Sequence, residues 1–317
     1  MKCAVIQKPG LIVIEDRDIP EIKDDEILVK VKVCGVDAPT DLHYMNGEDE
    51  NTFPITGFNS YFGHEGTGIV EKIGSKITEF KIGDRIAYLG AGYQEYAIVK
   101  ESLSVKLPDE IDFSEALAEP LAVVLNTIDH SDVQFGDDVV ILGAGFMGLL
   151  ITQGLANSGA GKIIVTDIDG AKLEIAKKLG ATHVINAKET DVVEKIKEIT
   201  NGKEINIVIE AAGSSVTLNQ AGLIVGKEGK IILHGFHPKP VSIDMVPWHC
   251  NELTIINSHP SSEEKCKSLM ARSVKLLQDG KFDLNKLITH KFKLEELNKV
   301  YEMLKTGKDF IKMVVMI

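Results

Sequence analysis

The chain has 317 residues, 44% hydrophobic and 26% charged, with a formal net charge of −12. That length allows two domains with sizeable cores, and the composition excludes a disordered or low-complexity protein. The acidic balance argues against nucleic acid or an anionic membrane as the main partner, and no apolar run reaches the ~20 residues needed to span a bilayer.

The opening stretch MKCAVIQKPG carries no apolar segment of the kind that directs secretion. The four cysteines, Cys3, Cys34, Cys250 and Cys266, show no CxxC spacing and read as free thiols in a reducing compartment. A cytoplasmic location is therefore expected. Residues 1–125 read as short strands and turns. LIVIED and EILVKVKV are rich in β-branched residues and bounded by Pro and Asp-Asp. This part is expected to be an all-β, barrel-like domain.

The texture changes in residues 126–262. DDVVILGAGF is a continuous apolar run ending in glycines, as a strand buried on both faces requires. Strands are expected near Val139–Leu142, Lys162–Thr166, His183–Ile185, Ile205–Ile209, Lys230–His234 and Leu253–Ile256. Helical stretches such as MGLLITQGLANSG and AKLEIAKKLG lie between them, the latter stopped by Gly180. Six strands with helical crossovers make a doubly wound parallel sheet in an α/β fold. Residues 263–317 hold two amphipathic helices and a final strand, FIKMVVMI. They are too few to stand alone and are expected to return to the first domain.

Gly143, Gly145 and Gly148 form a GxGxxG turn with Phe146 and Met147 inside it. After a strand and before a helix, the first glycine permits the tight turn, the second admits a pyrophosphate, and the third lets helix and strand pack closely. The helix N-terminus offers free N–H groups to the phosphates. Such turns also occur without a ligand, so the context matters. Asp167, at the end of the next strand, is placed to accept hydrogen bonds from a ribose diol and to repel a 2′-phosphate. NAD is therefore expected rather than NADP. Lys172 is a further candidate on the adenosine side, or a plain surface lysine.

Gly63-His64-Glu65-Gly66-Thr67-Gly68, continuing to Gly74 and Ile77, matches the spaced glycine signature of zinc-containing alcohol dehydrogenases. With the CGV segment, EYAIV, Ala118-Glu119-Pro120-Leu121-Ala122, GAGFMG and the closing IKMVV strand, the chain resembles the medium-chain dehydrogenase/reductase family over nearly its whole length. The resemblance implies a GroES-like barrel for the catalytic domain, completed by the C-terminal tail, and a Rossmann domain in the middle. It implies one catalytic Zn2+, with His64 as a ligand and Glu65 and Glu119 as ligands or close neighbours. Thr40-Asp41-Leu42-His43 resembles the family's S/T-D-x-H segment. There Thr40 would take the alcohol proton and relay it towards His43 and solvent, and Asp41 would support the ligands from behind. This wording is most similar to the polyol, sorbitol-type branch. The family also implies a homodimer or homotetramer and a small alcohol or polyol substrate.

Two departures stand out. The family's first metal ligand is a cysteine just before the Ser/Thr, and here the chain reads Cys34-Gly35-Val36-Asp37-Ala38-Pro39-Thr40. Counting from Cys34 puts Asp37 at the ligand position; counting back from Thr40 puts Ala38 there. Asp37 can bind a metal and is the preferred reading, although it also suits an Asx turn before Pro39. A set of Asp37, His64 and a glutamate is harder than one with a thiolate and would accept Mn, Co or Fe more readily. The second departure is that Gly83-Asp84-Arg85-Ile86-Ala87 runs almost directly into Gln94-Glu95-Tyr96, with no cysteine between. No structural zinc lobe is expected. Three readings remain: an NAD- and zinc-dependent dehydrogenase of a secondary alcohol, polyol or sugar hydroxyl; a metal-free quinone or enone reductase; and a non-enzymatic NAD-binding protein. Tyr44, Phe53 and Trp248 are candidate pocket residues.

Overall fold

A computed structural model of the chain describes residues 1–47, 62–237 and 239–317. In chain order the strands are β1 (Lys2–Lys8), β2 (Leu11–Asp16), β3 (Glu26–Gly35), β4 (Glu65–Ile73), β5 (Arg85–Leu89), β6 (Tyr96–Lys100), β7 (Ser104–Lys106), β8 (Val139–Leu142), β9 (Ile163–Asp167), β10 (His183–Asn186), β11 (Ile205–Glu210), β12 (Val225–Leu233), β13 (Thr254–Asn257), β14 (Ile288–Lys293) and β15 (Lys312–Met316). The helices are α1 (Ala38–Met45), α2 (Ala118–Ser131), α3 (Phe146–Ala156), α4 (Gly170–Lys178), α5 (Val192–Thr200), α6 (Ser215–Ile224), α7 (Met245–Cys250), α8 (Glu263–Gln278) and α9 (Leu297–Thr306). They form two compact units, Met1–Ala122 with Ser261–Ile317, and Val123–Pro260.

The first unit is built around β3. One edge of β3 pairs antiparallel with β4, and the register slips between Val31 and Val33. The other edge is shared. Glu26–Lys30 pair with β6, and Val33–Gly35 pair with β15. The tail therefore supplies two strands to this sheet, in the order β14-β15-β3-β4-β5-β7; the sequence had shown only the last of them. Burial on β3 alternates only in part, because apolar side chains fill both of its faces: Ile27, Val29 and Val31 join one core cluster, Cys34 another. β1 and β2 form a separate antiparallel pair, turned at Gly10, whose φ of 75° suits glycine.

The second unit is a six-stranded parallel sheet in the order β10-β9-β8-β11-β12-β13. Its central strand β8, Val-Val-Ile-Leu, is fully buried at every position. Each such side chain contributes roughly 1.5–3 kcal/mol of apolar burial, and an element covered on both faces has no reason to alternate. Helix stops follow the sequence. Gly180 (φ 112°), Gly280 (φ 65°) and Gly307 (φ 62°) stand just past or at the ends of α4, α8 and α9. Capping is equally local: Asp169, Asp191, Ser214 and Ser262 each accept a first-turn N–H. Among the described residues, no helix is long and apolar enough to cross a membrane.

Candidate metal centre and dinucleotide turn

The first unit gathers acids around one imidazole. β3 ends at Gly35, and α1 starts three residues later with Pro39 in its first turn. Asp37 is the N-cap residue of α1, yet its side chain makes no cap hydrogen bond. Its Oδ2 instead accepts from Thr40 Oγ1–H at 2.6 Å and lies 3.5 Å from His64 Nε2. Asp41, fully buried one turn along α1, accepts the Asp37 N–H at 3.1 Å and the Tyr93 hydroxyl at 2.5 Å, both on Oδ2. Its Oδ1 is buried with no hydrogen-bond donor among the described residues.

His64 and Glu65 sit at the entry to β4. Gly63, at φ 82°, makes the approach, and a Cβ there would come within 2.8 Å of the Tyr93 ring. Glu65 lies directly across from Gly35 in the β3–β4 register, and a Cβ on Gly35 would lie 1.9 Å from Glu65 Oε2. Glycine at 35 therefore makes room for the carboxylate. Glu119 enters from the first turn of α2, where a helix N-terminus favours a negative charge. Its Oε2 is 4.0 Å from His64 Nε2. One donor atom each from His64, Glu65 and Glu119 can be chosen so that all lie within 4.8 Å of one another. Asp37 stands beside this trio, against the imidazole.

The electrostatics are those of crowded anions. Burial, only partly offset by His64, pushes the Asp41 carboxyl up to about 7, and burial likewise pushes Glu119 up to about 7. Burial works against a charged His64, but Glu119, Asp37, Glu65 and Asp41 outweigh it and hold the ring's pKa above its ordinary value. Burial raises the Cys34 thiol well above its usual range, and its Sγ–H donates to Gly35 O at 3.3 Å. Cys34 is thus a core thiol rather than a thiolate donor.

One functional neighbour escapes sequence reasoning. Lys312 of β15 is 3% exposed and reaches Glu65, with Nζ 2.7 Å from Oε1 and 2.6 Å from Oε2; hydrogen-bond geometry is met at Oε1. Nζ also donates to Val36 O at 2.8 Å. The available signal was a lone lysine inside an otherwise apolar strand, which demands a buried partner.

In the second unit the glycine turn has the shape its spacing requires. Gly143 has φ 111°. A Cβ on Gly148 would lie 2.0 Å from Gly143 O, so only glycine lets α3 start this close to β8. A Cβ on Gly145 would meet nothing within 4 Å, and α3 has no side-chain cap over its N-cap Gly145. Open space in front of uncapped N–H groups fits a pyrophosphate. Phe146 is buried and Met147 half-buried at the start of α3. Asp167, at the end of β9, accepts from Ala144 N–H at 2.6 Å and Asp169 N–H at 2.9 Å. Lys172 is half-buried on α4.

Comparison with known proteins agrees with this geometry. The alcohol dehydrogenase GroES-like domain family matches residues 23–109, and the zinc-binding dehydrogenase family matches residues 147–275. The sorbitol dehydrogenase of Bacillus subtilis is 30% identical, with 95% of this chain and 93% of the relative aligned. The chain belongs to the zinc-type alcohol dehydrogenases of the medium-chain dehydrogenase/reductase family. Its fold is accordingly a GroES-like domain with a Rossmann domain. Among solved structures of this family, an Escherichia coli oxidoreductase of unknown specificity superposes with a TM-score of 0.89 at 30% identity, covering 99% of this chain and 98% of that one. The 2R,3R-butanediol dehydrogenase of Bacillus subtilis gives 0.86 at 26%, covering 100% and 99%. This zinc-type dehydrogenase does not use Trp248 to line a pocket. The indole is 6% exposed in the core of the Rossmann unit and sits against Gly222, where a Cβ would lie 2.1 Å from its Nε1. Tyr44 packs on the apolar cluster of the first unit. Phe53 lies outside the described residues.

Proposed function

We propose that this dehydrogenase moves hydride between a secondary alcohol or polyol and NAD, with a divalent cation, zinc in the family's usual form, held by His64, Asp37 and Glu119 and with Glu65 in reserve beside Lys312. The observation that carries this reading is the imidazole Nε2 set 3.5 Å from one carboxylate and 4.0 Å from another. Carboxylates crowded this closely attract a cation, and imidazole with carboxylates is a donor set zinc accepts. When bound, the metal supplies Lewis acidity that lowers the pKa of a substrate hydroxyl, and the dinucleotide supplies the hydride acceptor.

The chain's own residues do the rest. Thr40 Oγ1, beside Asp37, is the hydroxyl we assign to take the substrate proton, with His43 on the same helix as the next carrier; His43 is buried, with both ring nitrogens enclosed, so it passes the proton on inside the protein. Asp41 holds the Asp37 backbone and so fixes the first ligand. Gly143, Gly145, Phe146, Met147 and Gly148 shape the phosphate cradle. Asp167 receives the adenosine ribose and disfavours NADP, and Lys172 flanks it. A site rimmed by carboxylates suits a neutral polyhydroxylated substrate better than an acid, and the sorbitol dehydrogenase relative supports that class. We further propose a cytoplasmic homodimer or homotetramer, because β13 is the edge of its sheet and a free edge invites pairing with a second copy.

The deciding experiment is metal content in protein purified without chelator, wild type against His64→Ala. About one metal ion per chain in the wild type, lost in the variant, is expected. A wild type that stays metal-free after zinc is supplied would sink the reading and move the search to quinone or enone reduction.

A further inference from the structure

Among the described residues, the donors that face His64 are oxygens, with no sulfur among them. Asp37 gives up the cap of α1 and turns its carboxylate to the imidazole, 3.5 Å from Nε2. Its position is built from behind: Thr40 Oγ1 donates to Oδ2 at 2.6 Å, and Asp41 Oδ2 holds the Asp37 N–H at 3.1 Å. Asp41 Oδ1, in a fully buried side chain, has no donor among the described residues. That is an orphaned carboxyl oxygen behind the same cluster. Against Asp37, Asp41, Glu65 and Glu119 the chain sets Lys312 as its buried ammonium. The sulfur nearest in sequence is enclosed. Cys34 Sγ donates to Gly35 O and lies where a Cβ on Gly63 or Gly92 would come within 2.9 or 2.4 Å of it.

Resting on the metal-centre reading above, we propose that Asp37 makes this an all-oxygen-and-nitrogen centre that takes the harder divalent cations Mn2+, Fe2+ and Co2+ on terms close to zinc. Thiolates favour zinc and softer ions, whereas carboxylates suit manganese and its neighbours. Replacing a sulfur donor with a carboxylate therefore narrows the gap between zinc and manganese. The surplus of buried negative charge adds attraction for any dication without regard to softness.

The test uses the full-length chain stripped with chelator, titrated with Zn2+ and Mn2+ in competition and separately loaded with Co2+. The wild-type cobalt form should show weak d–d bands and no thiolate-to-cobalt charge-transfer band. Asp37→Cys should gain that band and raise the zinc-to-manganese affinity ratio by roughly tenfold or more, while Asp37→Glu keeps the wild-type spectrum. Asp37→Glu also stands as the check if Asp37→Cys fails to fold. A charge-transfer band in the wild type would overturn the proposal, since it would make Cys34 a ligand. So would unchanged metal affinities in a folded Asp37→Ala whose His64→Ala counterpart binds nothing; that outcome leaves the metal centre standing without Asp37. A folded wild type that binds none of the three ions would overturn the proposal and the metal-centre reading together.

Discussion

Replacing Lys312 by methionine removes the ammonium that accompanies Glu65 and leaves its carboxylate in place. Both side chains are 3% exposed, and Nζ lies within 2.7 Å of both carboxylate oxygens. Breaking one side of a buried pair costs about 3–5 kcal/mol, because the remaining charge stays desolvated. Here the remaining charge also faces Asp37, Asp41 and Glu119, and Val36 O loses its donor, so metal-free Lys312→Met should fall near the upper end. Loading with metal should reduce the loss, since a cation takes over part of the compensation. The double variant Lys312→Met/Glu65→Gln should recover most of it. Trp248 is the sole tryptophan and lies in the second unit, so its fluorescence does not report this unit. Hydrogen exchange of the amides in β3, β4 and β15 does, read under native conditions. A loss below about 1 kcal/mol, the scale of an exposed pair, would refute the argument, as would a double variant no more stable than the single.

The remaining predictions concern charge and the cofactor cradle. In metal-free protein burial pushes the Asp41 carboxyl up to about 7 from its ordinary 3.8, so between those values the folded chain keeps a proton that the unfolded chain has lost; stability from this group is present at low pH and drains away as pH rises from about 4 to about 7, by a few kcal/mol. Denaturant unfolding at pH 5 and pH 8 should show that Asp41→Asn flattens this fall, and an Asp41→Asn slope equal to wild type would count against it. Gly145→Ala should fold normally and lose NAD affinity, since its Cβ enters open space where the phosphates go, whereas Gly148→Ala should also destabilise the unit by about 1–3 kcal/mol through its clash with Gly143 O. Calorimetric NAD titration and thermal melts separate the two, and unaltered NAD binding by Gly145→Ala would displace the pyrophosphate from this turn. Asp167→Ala should weaken NAD by about 10- to 100-fold, the scale of a lost hydrogen bond to a charged group, and weaken NADP less; an unchanged ratio of the two dissociation constants would remove Asp167 from the ribose.

What the sequence made legible is what a few neighbouring residues decide. The glycine turn after β8 could be read because strand, turn and helix start lie within a few residues of one another, and the helix stops at Gly180, Gly280 and Gly307 because each takes a positive φ at a helix end. The parallel sheet followed from runs such as Val139–Leu142, where the absence of alternation is itself the signal. Long-range partners were not legible. Lys312 meets Glu65 across 247 positions of chain, and Tyr93 meets Asp41 across 52; the lone lysine in an apolar run hints at a buried partner, but no local pattern names either partner. Trp248 could not be decided in sequence because a large aromatic near a strand end looks the same whether it lines a pocket or, as here, packs in the core beside Gly222.

The ligand position beside Thr40 shows where spacing alone fails. Two ways of counting gave Asp37 or Ala38, and with one residue inserted only the chemistry of the side chain, not the spacing, favoured Asp37. The start of α1 supports the reading that takes Asp37. Ala38 is the first helical residue and half-buried against the apolar cluster of that unit, while Asp37 is the N-cap, the last residue with extended backbone (φ −87°, ψ 101°). Side chains at an N-cap normally fold back onto the helix because its first N–H groups have no other partner. That of Asp37 does not: it lies against His64 Nε2, with Thr40 and Asp41 fixing its carboxylate and its amide. A residue held away from its usual local bond by two neighbours is positioned by the site rather than by the helix.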